Sequence, residues 1–209
     1  MQMNKKIDDN WRKNVIETAW NFVNIIWIPT KKNIYHGYDL NGVLVNTPDI
    51  NYSGVKYNKC GWWHIGKQNQ GMAYNWGGLC TVEEFQKGIS EGKYAGNVPD
   101  SRDNKISRQC IGVDCSGLVS ACWGIEKKQS TKSLLSFARK LDTTDDMLFG
   151  DVFLLPGNHV MIFIEFTDNK KSSARIIHAT RSTGKVLSEI VQVAGLIGKG
   201  YAGYCYDEK

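Results

Sequence analysis

"GDVFLLPGNHVMIFIEF", residues 150–166, is the stretch whose reading decides the fold class. Two short apolar blocks flank "PGN" at 156–158, and Pro followed by Gly favours a tight turn, so the segment predicts a hairpin with strands 151–155 and 159–166. A period of two places His159 and Met161 on one face and Val160 and Ile162 on the other. "ARIIHAT" (174–180), "KVLSEIVQV" (185–193) and "YAGYCY" (201–206) supply further strands. Upstream the period is helical. Asp8 or Asp9 can cap a first helix in which Trp11, Val15, Ala19, Phe22, Val23 and Ile26 recur at spacings of three and four, with Pro29 ending the run. Thr81 and Glu84 form a capping-box pair ahead of a short helix. Helices first and mostly antiparallel strands afterwards predict an α+β fold, with helices packed on a sheet.

The chain of 209 residues is 42% hydrophobic, enough to bury a core, and its length fits one domain spanning 1–209. A net charge of +5 favours polyanionic surroundings, but Lys and Arg are scattered and no nucleic-acid motif accompanies them, so no nucleic-acid partner is expected. Seven Trp and nine Tyr leave two readings open, a surface that grips a polymer or a core with scattered exposed aromatics. Asp8, Asp9, Arg12 and Glu17 interrupt the N-terminal apolar pattern, so neither an intact signal peptide nor stable membrane insertion is expected. Six cysteines at irregular spacing predict mostly free thiols. Cys60, His64 and Cys80 lack the paired rhythm of a zinc site, and no metal or cofactor is expected.

The chemistry centres on "GVDCSGLVSACWG", residues 112–124. Leu118, Val119, Cys122 and Ile125 sit at helical spacing, which places Cys115 in the first turn of a helix. Cys115 is either a packing residue or a nucleophile. A helix N-terminus and a neighbouring imidazolium both favour a thiolate, and His159, opening a strand after a tight turn, is placed to supply the imidazole. His178, on the next long strand, can orient His159 through its second ring nitrogen. Cys122, two turns on, reads as a core thiol, and His36 and His64 as exposed or structural. Gly117 in the first helical turn implies a close approach by chain or substrate.

Four blocks in order, "AYNWGG" (73–78), "DCSGLVS" (114–120), "GDVFLL" with "HVMIF" (150–163) and "IIHA" (176–179), resemble the NlpC-type cell-wall cysteine peptidases, a family also named after a sixty-kilodalton listerial protein. The first helix, with "VIETAWNFV", looks similar to the one that opens that domain. The resemblance implies a papain-like fold and hydrolysis of peptidoglycan stem peptides, most often between D-γ-glutamate and a diamino acid. It implies Cys115 as nucleophile, His159 as general base and then acid, and His178 as the orienting third residue. Tyr74 corresponds to a family tyrosine near the nucleophile, suited to an oxyanion. Asp114 and Ser116 correspond to positions that help hold the substrate peptide, Asp114 being suited either to an ammonium or to capping the helix. Asp151 matches the family's "GD" and reads as a turn residue.

Residues 31–71 and 79–109 widen the usual spacing and read as insertions that rebuild the groove walls. Within the first, "YNKCGWWHIG" (57–66) is the candidate surface for wall polymer. The expected partner is a peptidoglycan stem peptide and the expected state a monomer. The expected setting is the cell wall or the exterior after removal of a signal, or otherwise the cytoplasm until release as a lysin or effector. Two rival readings are an amidase or acyltransferase acting on another amide or a lipid, and a binding module with a dead site.

Overall fold

The computed structural model describes residues 8–54, 59–100 and 105–207. Helix α1 (Asp9–Asn24) begins where the Asp8 carboxylate accepts the Trp11 N–H at 2.9 Å. It buries Trp11, Val15, Ala19 and Phe22 on one stripe. The helix ends at Asn24, short of Pro29, because the chain turns extended and β1 (Ile26–Trp27) pairs with β6 (Asn69–Gln70). Ile26 is therefore an exposed strand residue rather than part of the apolar helix face. Between these strands lie β2 (His36–Tyr38), β3 (Leu44–Asn46), β4 (Ser53–Gly54) and β5 (Lys59–Cys60), paired as two short hairpins.

Helix α2 (Val82–Ser90) carries the reciprocal Thr81 and Glu84 capping box. Strands β7 (Tyr94–Ala95) and β8 (Cys110–Ile111) pair in parallel and lead to α3 (Cys115–Trp123). Then come β9 (Ala138–Lys140), β10 (Val152–Leu155), β11 (His159–Phe166), β12 (Ser173–Thr180), β13 (Lys185–Gln192), α4 (Val193–Gly198) and β14 (Ala202–Tyr206). The last six strands form one antiparallel sheet in the order β13-β12-β11-β10-β14-β9. The expected α+β class is what the chain adopts. Helix α4 and strand β9 had no signal in the sequence, since six and three residues are too short to display a period.

Alternation along the strands divides the interior. Val152, Leu154, Val160, Ile162, Ile177 and Ala179 face α1 and α3 in the main core, which draws on residues from Trp11 to Tyr206. Phe153, Met161, Phe163 and Ile176 form a second core, closed by Val193 and Leu196 of α4. No helix among the described residues is long and apolar enough to cross a membrane.

The packing adds detail to two expectations. In the first insertion, Trp63 is fully buried, and Trp27 makes edge contacts with Trp62, Trp63 and Phe85 at centroid distances of 5.9, 5.5 and 5.2 Å. Trp62 also donates its indole N–H to the Gly184 carbonyl at 2.9 Å. Trp63 thus wedges the insertion onto the domain and is closed to a polymer, whereas Trp62 is only part-buried. Asp151 is more than a turn residue: it is 1% exposed and accepts from the Arg12 guanidinium at 2.7 Å and from the Leu148 N–H at 2.8 Å. Arg12 also donates to the Phe149 carbonyl at 2.8 Å, so the pair ties α1 to the entrance of β10.

Burial raises the Asp151 pKa despite Arg12 beside it, so desolvation outweighs the attraction. Removing only the cation leaves the buried carboxylate without its ion-pair partner, with the Leu148 N–H still donating to it. Arg12→Met is expected to cost about 3–5 kcal/mol in urea unfolding, and Arg12→Met/Asp151→Asn to recover much of that loss.

Candidate active site

The start of α3 is held by its neighbours' backbone. A parallel bridge joins Tyr74 to Val113, with the Asn75 N–H on the Val113 carbonyl at 2.9 Å, and this draws residues 73–78 against the segment that enters the helix. At Gly117 a Cβ would lie 1.9 Å from the Gly78 carbonyl oxygen, so only glycine permits this approach. The close contact expected at Gly117 is therefore made by the chain itself. The approach also explains how two motif blocks nearly forty residues apart meet at one place.

Asp114 is the N-cap of α3. Its Oδ1 accepts the Gly117 N–H at 2.7 Å and the Ser116 hydroxyl at 3.1 Å. Oδ2 accepts the Gly77 N–H at 3.0 Å and pairs with Lys128 Nζ at 3.0 Å. Lys128 donates in turn to Ser116 Oγ at 3.1 Å and to the Gln129 carbonyl at 3.0 Å. The capping role open to Asp114 in the sequence is the one the structure displays, and the cation it holds is Lys128. Ser116 lies inside the same network and is buried.

Cys115 follows at the first helical position and is half-buried. Burial pushes its thiol up to about 12, and the Asp114 charge adds to this. Backbone contacts with Val160 and Ser116 and the Lys128 charge pull the other way without reversing the balance. The contact with Val160 places the sulfur beside the first residues of β11, where His159 stands. His159 Nε2 and His178 Nδ1 are 2.9 Å apart, with the ring planes at 67°. His178 is buried on β12.

Two cavities flank Cys115. One, of about 250 Å³, is lined by Cys115, His159, Tyr74, Trp76, Arg181 and Tyr201 among others. The other, of about 200 Å³, shares Trp76, Cys115 and Asn158 with the first and adds Asp114, Ser116 and Lys128. A larger cavity of about 520 Å³ sits at the far end of α3, beside Gly124 and Ile125, and contains none of these groups. Tyr74, the expected oxyanion residue, lines the first cavity and is 3% exposed.

The structure thus gathers all six residues singled out in the sequence around one helix terminus. It adds Arg181, whose guanidinium lies 5.6 Å from the Trp76 ring centroid and donates to the Pro99 carbonyl at 3.2 Å. Arg181 follows "HAT" directly, a proximity that could have flagged it, whereas Lys128 carries no local signal. Of the other histidines, His36 pairs with the buried Asp49 at 2.7 Å, an interaction that raises the His36 pKa. It is a structural residue of the first insertion. Cys122 is a buried core thiol, and Cys80, Cys110, Cys115, Cys122 and Cys205 are all free.

Comparison of the chain with protein-family models, with curated proteins and with solved structures finds no match.

A thiol raised to about 12 is protonated at rest, whereas an ordinary one titrates near about 8.5. The rate of Cys115 alkylation by iodoacetamide, followed by peptide mass spectrometry on the native protein, is expected to climb through pH 10 without levelling. A plateau reached below pH 7 would instead identify a resting thiolate–imidazolium pair.

Proposed function

We propose that this protein is a cysteine endopeptidase of the NlpC type, with a papain-like fold, that hydrolyses peptidoglycan stem peptides at the D-γ-glutamyl–diamino acid bond. The observation that carries the reading is the 2.9 Å contact between His159 Nε2 and His178 Nδ1 beside the cavity that holds Cys115. With Nε2 committed to His178, the nitrogen left for the thiol is His159 Nδ1.

In this mechanism the substrate carbonyl lies over the N-terminus of α3. His159 Nδ1 removes the thiol proton as Cys115 Sγ attacks, so that the thiolate forms only in concert with carbon–sulfur bond formation. This sequence suits a thiol that burial keeps neutral at rest. The Cys115 backbone N–H, unpaired within the helix at its first turn, and the Tyr74 hydroxyl are the donors assigned to the oxyanion. The proton on His159 passes to the departing amine, leaving a thioester on Cys115. Water, deprotonated by the same imidazole, releases the acid and restores the thiol.

Substrate contacts divide between the two flanks. Arg181, beside Cys115 and His159, supplies a fixed cation suited to a substrate carboxylate. On the other flank the Asp114 charge is balanced by Lys128, so hydroxyl and backbone groups are left to hold the peptide there.

Defined muropeptides incubated with the protein and analysed by mass spectrometry are expected to give a fragment pair from the γ-glutamyl bond, with the mass of one water added. Cys115→Ala should abolish the products, and His159→Ala should lower the rate by about 10²–10⁴-fold. Full activity in either variant overturns the assignment. Products carrying an acceptor group in place of water would identify an acyltransferase.

A further inference from the structure

The His159–His178 contact leaves open which nitrogen carries the proton. For His159 Nδ1 to act as a base, its Nε2 must bear hydrogen and donate to a bare His178 Nδ1. The hydrogen of neutral His178 then resides on Nε2. That atom is buried and has no aligned hydrogen-bond partner among the described residues. The Glu189 Oε1 atom lies 3.2 Å from it, outside hydrogen-bond alignment but within ion-pair range. Strand register explains the proximity. His178 pairs with Leu187 across β12 and β13, and Glu189, two residues along, projects on the same face.

We propose that Glu189 is a positioning residue that accepts the His178 Nε2–H after a small side-chain rotation. It thereby holds His178 in the tautomer whose Nδ1 accepts the hydrogen bond donated by His159 Nε2–H. Its negative charge also favours the imidazolium that His159 becomes when it takes the thiol proton. The ordered relay runs from Cys115 to His159, His178 and Glu189, with a proton moving only between Cys115 and His159. The other tautomer would put hydrogen on His178 Nδ1, direct it at His159 Nε2 and move the His159 hydrogen to Nδ1, where it blocks the base. The inference rests on the reading of Cys115 and His159 as the reacting pair.

The test uses the full chain with ¹⁵N-labelled histidine and long-range ¹H–¹⁵N correlation spectra, alongside muropeptide turnover. His178→Asn assigns the resonances. In the wild type His178 should be the Nε2–H tautomer. Glu189→Ala should convert it to a mixture and lower kcat about tenfold with KM unchanged, whereas Glu189→Gln, which keeps an acceptor, should retain the tautomer and recover part of the rate. A wild-type Nδ1–H tautomer, or an unaltered tautomer in Glu189→Ala, overturns the role of Glu189. If the wild type turns over no muropeptide, the proposed function fails, and the tautomer spectra still decide the assignment of Glu189.

Discussion

The site depends on the backbone contact between the first turn of α3 and the carbonyl of Gly78. A Cβ at Gly117 would stand 1.9 Å from that oxygen, and a Cβ at Gly78 would stand 2.3 Å from the Gly112 carbonyl oxygen. Three glycines thus let two backbones approach where any larger residue would force them apart. The consequence reaches the chemistry, because the same contact brings Tyr74 and Trp76 to the cavity of Cys115. Asp114 completes the arrangement by bonding to both segments, to Gly117 within the helix and to Gly77 outside it.

Buried charges do much of the remaining positioning. Arg12 and Asp151 join the first helix to the hairpin that bears His159, and Lys128 and Asp114 join the chain after α3 to its N-terminus. Each pair loses hydration on burial and retains directional hydrogen bonds, which makes these interactions better at specifying geometry than at adding stability. Asp151 demonstrates the balance, since burial raises its pKa even with a guanidinium at 2.7 Å. Cys115 follows the same logic. A neutral thiol costs little to bury, and the charge of its neighbour Asp114 opposes ionisation.

Much of this was legible in the residues themselves. Period-two alternation in 150–166 and 174–193 predicted the strands that carry His159 and His178, because a half-buried strand must alternate. The Thr81 and Glu84 box and the Asp8 cap were readable because capping is local and acts over three residues. Other features were hidden for equally physical reasons. Ile26 continues a helical spacing in sequence yet leaves the helix, since pairing with Gln70 in the sheet outweighs the local preference. "GWWHIG" is as aromatic as a polymer-binding surface, and only the tertiary fold turns Trp63 inward against Trp27.

The sequence by itself determined the α+β class, the first-turn position of Cys115 and the strand positions of both histidines, because caps and hydrophobic periods are properties of neighbouring residues. The tertiary structure alone decided that His159 Nε2 meets His178 Nδ1, that Lys128 neutralises Asp114 and that Glu189 lies beside His178. Those contacts depend on strand register and on the path of distant loops, and a few ångströms in either separates a hydrogen bond from none.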